Sequence, residues 1–404
     1  MTKETKPVRE TKSVNALLLA AAITGLTITN CAVASEIVKN PLAELGRAVF
    51  FDESLSEPAG VSCASCHDPD RAFSGDNGSG IGVSSGAPEG SFGFRKAPTL
   101  KYLATLPALG WGTIDDEPAL IGGMFWDGRA SSFETQALGP LFSPHEMNNS
   151  SPASVASRLQ KAAYSAQLKE LFGADIFSRP DDAVQALATS VGAFQRLPEF
   201  APFTSKFDAV VRGEAEFTEA ESRGLDWFTI GQKGNCLSCH TVDIDSKDPR
   251  DSLFTNFAYH ALGAPRNRRL PATQDAAYND LGLCETLRQD KSYSEPDKYC
   301  GFFRVPTLRN VALTGPYMHN GVFKTLREAV AFYATRDTDP QQWYPEGEKF
   351  NDLPVSMRGN VDTSKRPYHR KKGKRPALKD EEVDDLVAFL NTLTDGYQPA
   401  SKSK

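Results

Sequence analysis

Histidine, methionine and tryptophan are scarce in this chain, at six, five and four among 404 residues. A site that needs an imidazole therefore has few to draw on. Positive charge is not in surplus either, since 45 Lys and Arg against 51 Asp and Glu leave a formal net charge of −6. A nucleic-acid partner is excluded as a general function, because phosphate binding needs a basic surplus. Beyond the N-terminal segment no apolar run approaches the roughly 20 residues that span a bilayer, so no membrane association is expected of the mature chain. Strand-like alternation is weak throughout, which argues against an all-β fold. The remaining composition, 40% hydrophobic and 24% charged, is that of a globular protein, and the length suits two or three domains. Cysteine is sparse and odd in number, at seven.

The N-terminus offers one reason for the odd count. Lys3, Lys6, Arg9 and Lys12 precede an uncharged apolar run from about Ala16 to Ile28, and Ala32-Val33-Ala34 follows as a small-residue cleavage pattern. This is the layout of a secretory signal peptide over residues 1–34, with a core too short for a membrane span. Its removal takes Cys31 away and places the remaining six cysteines in the periplasm, an oxidising space.

Four of those six form two copies of one pattern, Cys63-Ala64-Ser65-Cys66-His67 and Cys236-Leu237-Ser238-Cys239-His240. C-x-x-C-H is the attachment signature of c-type haem. Two thiols must reach the two vinyl groups of one porphyrin, and the next residue must bring an imidazole to the iron. A four-cysteine zinc site or a thioredoxin-like pair would explain the cysteines but not the histidine after each pair. Two covalently bound haem c groups are therefore expected. Cys284 and Cys300 remain, as a disulfide or as two unpaired thiols.

The motifs lie 173 residues apart, so each is assigned its own haem domain, residues 35–200 and 201–404, joined near Leu197-Pro198-Glu199-Phe200-Ala201-Pro202. The expected fold is mainly α, two cytochrome c-like helical domains with long loops. Leu42, Leu45, Val49 and Phe50 share one helix face before the first motif. Val383, Leu386, Val387, Leu390 and Leu393 form a second stripe, with Asp380 to Glu382 at the positive end of that helix. Long polar loops occupy 74–98 and 337–379. The latter carries a basic run, Lys365 to Lys379, that reads as a solvated loop or as a steering patch for an acidic partner.

These blocks together resemble the bacterial di-haem cytochrome c peroxidase and MauG superfamily. The resemblance rests on Leu45-Gly46-Arg47, on Ser62 through Pro69 around the first motif, on Phe125-Trp126-Asp127-Gly128-Arg129-Ala130, on Gln136-Ala137 and on Glu146-Met147. It continues after the second motif with Pro306-Thr307-Leu308-Arg309-Asn310-Val311 and Pro316-Tyr317-Met318-His319-Asn320-Gly321. It implies that His67 is the proximal ligand of a peroxide-reactive iron and His240 that of a relay iron. Trp126 matches the family's tryptophan between the haems, although the residue alone fits an ordinary buried indole equally well. Glu146 and Gln136 match the residues on the peroxide side of the first haem, where a carboxylate can move a proton between the two peroxide oxygens. Pro140 matches a proline of the same pocket.

Four departures refine the expectation. Peroxidases of the family close the first iron with a histidine from the loop after the first motif, here Arg71 to Lys96, and that loop contains none. His145, next to Glu146, is the one other imidazole that could approach. Second, where peroxidases place a methionine fourteen residues after the Pro-Tyr-x-His histidine, and MauG-like members a tyrosine, counting from His319 gives Tyr333. A phenolate ligand favours the higher oxidation states of iron, whereas thioether ligation raises the potential. Met318 and Met147 are the alternatives and are expected to pack. Third, the family's calcium ion between the domains would be held through Thr314 and Pro316, but Lys96 stands where an asparagine ligand belongs. Fourth, Gly234 stands where MauG has a tryptophan at its partner contact.

The resemblance therefore implies a periplasmic MauG-like di-haem enzyme. It would use hydrogen peroxide to form a high-valent di-haem state and oxidise Trp or Tyr of a partner protein at long range. That partner would be a quinone-cofactor precursor or a copper-handling protein. The alternative is a peroxidase that reduces peroxide to water with electrons from a small cytochrome or a cupredoxin.

Overall fold

The computed structural model describes residues 40–399, and the expected signal segment 1–34, with Cys31, lies outside the described residues. The described chain is mainly helical, as its periodicity predicts. Among the described residues no helix is long and apolar enough to cross a membrane.

One core gathers around the Pro41–Phe50 helix. Asn40 starts it by accepting the Ala43 N–H at 3.2 Å, and Pro41 occupies the first turn, where a missing N–H costs nothing. Leu45, Val49 and Phe50 are buried against the Pro180–Gln195 helix, while Leu42 stays half-exposed. The two helices meet at Gly46, where a Cβ would stand 1.8 Å from the Ser190 carbonyl oxygen. Any side chain there would force the pair apart. A second core repeats the device. The Glu219–Thr229 helix crosses Asp380–Asn391 at Gly224, whose Cβ would lie 2.1 Å from the Asp385 carbonyl oxygen. Val383, Leu386, Leu390 and Leu393 are buried there with Phe207, Phe228, Phe254 and Phe389.

Strands are the feature that sequence alternation missed. Gly110–Ile114 pairs antiparallel with Glu117–Ile121 across Asp115-Asp116, both at positive φ (50° and 65°). Two glycines in the first strand leave little side-chain alternation to read. Ile121 then bridges Ala258, so this hairpin abuts a shorter ladder, Tyr259–His260 with Phe303–Arg304. Cys284 and Cys300 form a disulfide, both fully buried, just before that ladder's second strand.

Arg309 and Asp208, both 0% exposed, anchor the second core from within. The guanidinium donates to the Asp208 oxygens at 2.9 and 3.2 Å, to Ser252 O at 2.8 Å and to Pro249 O at 2.8 Å. Asp208 also accepts the Ser205 N–H and hydroxyl at 2.8 and 2.7 Å. Such a pair adds little over an apolar substitute, but losing one partner strands a buried charge. Asp208→Ala should therefore cost about 3–5 kcal/mol in guanidinium unfolding of the holoprotein, and a loss below 1 kcal/mol would show that water reaches Arg309.

Candidate functional site

Each C-x-x-C-H segment folds into one helical turn and sets its histidine in the same way. His67 Nδ1 donates to the Phe73 carbonyl at 2.9 Å, and His240 Nδ1 to the Phe254 carbonyl at 2.9 Å. A carbonyl can only accept, so each ring carries its proton on Nδ1 and keeps the Nε2 lone pair free for a metal. Burial holds both imidazoles neutral, bringing His240 down to about 4 and lowering His67 as well. Burial likewise pushes the Cys63 and Cys236 thiols up to about 12. Apolar surroundings suit the uncharged thioether sulfurs of covalent haem attachment.

The second site opens into a cavity lined by Cys236, Cys239 and His240 together with Tyr333 and Tyr368. Its walls are apolar, with Phe228, Leu326, Val330, Leu378, Leu386 and Leu390. Tyr333 belongs to the Leu326–Thr335 helix, and no described residue hydrogen-bonds its hydroxyl. Burial raises the Tyr333 phenol, so a phenolate is favoured there only when a cation compensates it. An apolar cavity lined by an imidazole with a free nitrogen and by an unpaired phenol fits a haem. Met318 lines the same cavity at positive φ (70°), while Met147 is buried in the first core. His260 was not foreseen: its Nε2 lies 3.3 Å from Cys239 Sγ. Nothing in the local sequence marks it, since only the short ladder beside Phe303 brings it there.

At the first site, Gln136 and Pro140 lie one turn apart on the Phe133–Phe142 helix, and Glu146 closes the turn that follows. The Glu146 N–H is held by the Ser143 carbonyl at 3.1 Å. Its carboxyl is raised by desolvation, partly offset by the Ser143 hydroxyl, Arg129 and His145. The Glu146 carboxylate adds a small upward push to both Cys63 and Cys66, after burial as the main cause. The loop after the first motif packs directly on this turn: a Cβ on Gly86 would meet the His145 carbonyl oxygen at 2.3 Å, and Ala87 N donates to Glu146 O at 2.7 Å. That loop brings Val83 and Ser84 inward, not an imidazole. His145 packs edge-on against Phe94, with ring centroids 4.5 Å apart.

Trp126 joins the two sites. Its ring lines the second cavity, and its Nε1 donates to the Lys96 carbonyl at 2.8 Å, two residues before Pro98, whose carbonyl lies against His67.

Calcium does not fit the turn Thr314-Gly315-Pro316. Arg71 donates to the Gly315 carbonyl at 2.5 Å and pairs with Asp76 at 3.2 Å. Lys96 is buried nearby, its ammonium lowered to about 7 by burial and by the Arg71 charge. Lys96 offers no oxygen ligand where an asparagine would, and Arg71 already occupies the Gly315 carbonyl, so the turn lacks the oxygen donors that calcium needs. Dialysis against a calcium chelator should leave the optical spectrum and the thermal midpoint of the holoprotein unchanged, and a chelator-dependent shift in either would place the ion here after all.

A family model described as di-haem cytochrome c peroxidase matches residues 40–216. The methylamine utilization protein MauG of Paracoccus denitrificans is 40% identical over 364 residues, covering 89% of this chain and 90% of that one. Among solved structures, the diheme peroxidase BthA of Burkholderia thailandensis superposes with a TM-score of 0.85 at 45% identity, over 88% of this chain and 86% of that one. A MauG-like protein associated with microbial copper homeostasis gives a TM-score of 0.61 at 29% identity, over 90% and 92% of the two chains.

Proposed function

This chain belongs to the di-haem cytochrome c peroxidase family, that of MauG, and within it we propose a MauG-like protein oxidase acting in the periplasm. Membership makes it a haem-dependent oxidoreductase and implies two haem c groups, hydrogen peroxide as oxidant, and a protein substrate or a cytochrome as partner. The proposed halves are 35–200, carrying the reactive haem on Cys63, Cys66 and His67, and 201–404, carrying the relay haem on Cys236, Cys239 and His240. When bound, the haem pair supplies an iron that receives peroxide and a store for its two oxidising equivalents.

The chain's own groups support this reading. Glu146, partly desolvated beside the first cysteine pair, can hold the proton of an entering peroxide and release it to the departing oxygen. Gln136 and Pro140 shape the same side of the pocket. The observation that carries the reading is the pinned loop 71–96, which offers Val83 and Ser84 but no imidazole to close the first site. Tyr333 and His240 would hold the second iron, and the indole of Trp126 would pass electrons between the sites. The oxidised target would be Trp or Tyr of a partner, in a quinone-cofactor precursor or a copper-handling protein.

Met318, in the same cavity as Tyr333, supports the second reading. With methionine on the relay iron, the enzyme would reduce peroxide to water using a small cytochrome or a cupredoxin.

Peroxide added to the diferric protein, without prior reduction, should produce a long-lived oxidised spectrum, and Tyr333→Phe should change the relay-haem EPR signal. Methionine ligation, or two six-coordinate irons, would favour the second reading. Glu146→Gln should slow peroxide consumption by about 10²–10⁴-fold. Because burial raises the Glu146 carboxyl and the base form is the active one, the wild-type rate should rise with pH across a range above the usual carboxylate value. That limb should vanish in Glu146→Gln; its persistence would remove Glu146 as the base.

A further inference from the structure

We propose that Trp111 is the surface residue through which the second haem site draws electrons from its partner, and that the partner presents an oxidisable aromatic side chain ringed by Lys and Arg. The proposal rests on the protein-oxidase reading and adds the exit to it. Trp111 is 59% exposed on the first strand of the Gly110–Ile121 hairpin. One exposed indole is unremarkable, but this one sits at the edge of an aromatic cluster that reaches toward the second site. Tyr293 and Tyr299 each lie with ring centroids 6.4 Å from it, and both pack in the same apolar cluster as buried Tyr259. The Tyr259 hydroxyl donates to Gly122 O at 2.6 Å and abuts Gly128, where a Cβ would be 2.3 Å away, two residues from Trp126. The residue after Tyr259 is His260, 3.3 Å from Cys239 Sγ. The cluster thus packs against the segments that carry Trp126 and His260, and it reaches solvent at Trp111.

Charge selects the partner. Asp115, Asp116 and Glu117 are exposed at the hairpin tip, four to six residues from Trp111 along the chain. They attract a basic rim and repel an acidic one. Gly234, beside Cys236, offers no ring that could serve instead.

The electron balance is complete with hydrogen peroxide as oxidant. Peroxide takes two electrons and two protons to give two waters. Each electron passes inward from Trp111 through Tyr293 and Tyr259, and the one-electron-oxidised Trp111 is restored by one electron from the partner's ring. That ring releases its O–H or N–H proton to water.

The test uses the diferric holoprotein with peroxide and two synthetic tryptophan peptides, one flanked by lysines and one by glutamates. A parallel sample without peptide carries a nitrone spin trap and is mapped by mass spectrometry. Wild type should carry the trap adduct on Trp111 and oxidise the lysine-flanked peptide about tenfold faster than the other. Trp111→Phe should lose the adduct at residue 111 and slow peptide oxidation, and Asp115→Asn/Asp116→Asn/Glu117→Gln should erase the preference between peptides. If Trp111→Phe oxidises the lysine-flanked peptide at the wild-type rate, and wild type shows no adduct at Trp111, the exit lies elsewhere and the proposal falls while the oxidase reading stands. If wild type oxidises neither peptide nor itself but consumes peroxide with a reduced small cytochrome, the oxidase reading falls, and the proposal with it.

Discussion

Everything at the two sites hangs on one hydrogen bond made twice, from an imidazole Nδ1 to the carbonyl of a phenylalanine. It fixes the tautomer, aims Nε2, and increases the basicity of the nitrogen that would bind iron. Making it requires a carbonyl turned back toward the motif, and both phenylalanines achieve this with φ of 55°. A bulky residue in that conformation costs about 1–2 kcal/mol, so packing has to hold it. Phe73 is held by Phe50, Phe194 and Phe200, at centroid distances of 5.9, 6.4 and 4.5 Å. Phe254 is held by Phe207, Phe228 and Phe389 at 4.9, 5.8 and 6.2 Å. The aromatic cores therefore do more than stabilise: they position the acceptor that orients the ligand.

This explains which parts were legible in the sequence. The C-x-x-C-H motifs and the amphipathic helices before the first and near the chain's end are local patterns, and each was found where expected. Phe73 and Phe254 carry no such mark, because nothing in a phenylalanine's neighbours announces a left-handed backbone that only tertiary packing sustains. The hairpin at Trp111 was hidden for a related reason, since glycines blank out its alternation and positive-φ aspartates make its turn. His260 reaches Cys239 only because a two-residue ladder sets it opposite Phe303, a pairing formed across 43 residues of chain.

Residues 95–99 tie the first loop to the second site. The Arg95 guanidinium is shared by Asp127 at 2.5 Å and Asp280 at 2.6 Å. Lys96 N donates to His319 O at 2.8 Å, and its carbonyl receives Trp126. Thr99 donates to Ala72 O at 2.6 Å, one residue from the Phe73 carbonyl that orients His67. Five consecutive residues thus fix an imidazole on one side and an indole on the other. A divalent ion could bridge such a junction, but here backbone hydrogen bonds and the Arg95 ion pairs already do so.

A pinned, imidazole-free loop has a consequence for how oxidation is controlled. A site closed by a histidine is protected until a reductant moves that histidine away; this loop is fastened by Asn77 to Ser85 at 3.0 Å and by Ala87 to Glu146, and it has no such ligand to move. On the protein-oxidase reading, control would then act after peroxide has reacted, on where the electrons come from. Solvent-facing aromatic rings such as Trp111 would let a docked partner supply them, and would also let the protein supply them when no partner is present. Undirected oxidation at Tyr259 is limited by the packing that buries it. Its hydroxyl is already engaged, by the Gly122 carbonyl at 2.6 Å. The Tyr259 phenol donates to a neutral carbonyl, a poor base, so losing an electron there cannot be coupled to easy proton loss. It can pass a charge along without keeping it, which makes the outermost ring, wetted by solvent, the place where oxidation comes to rest.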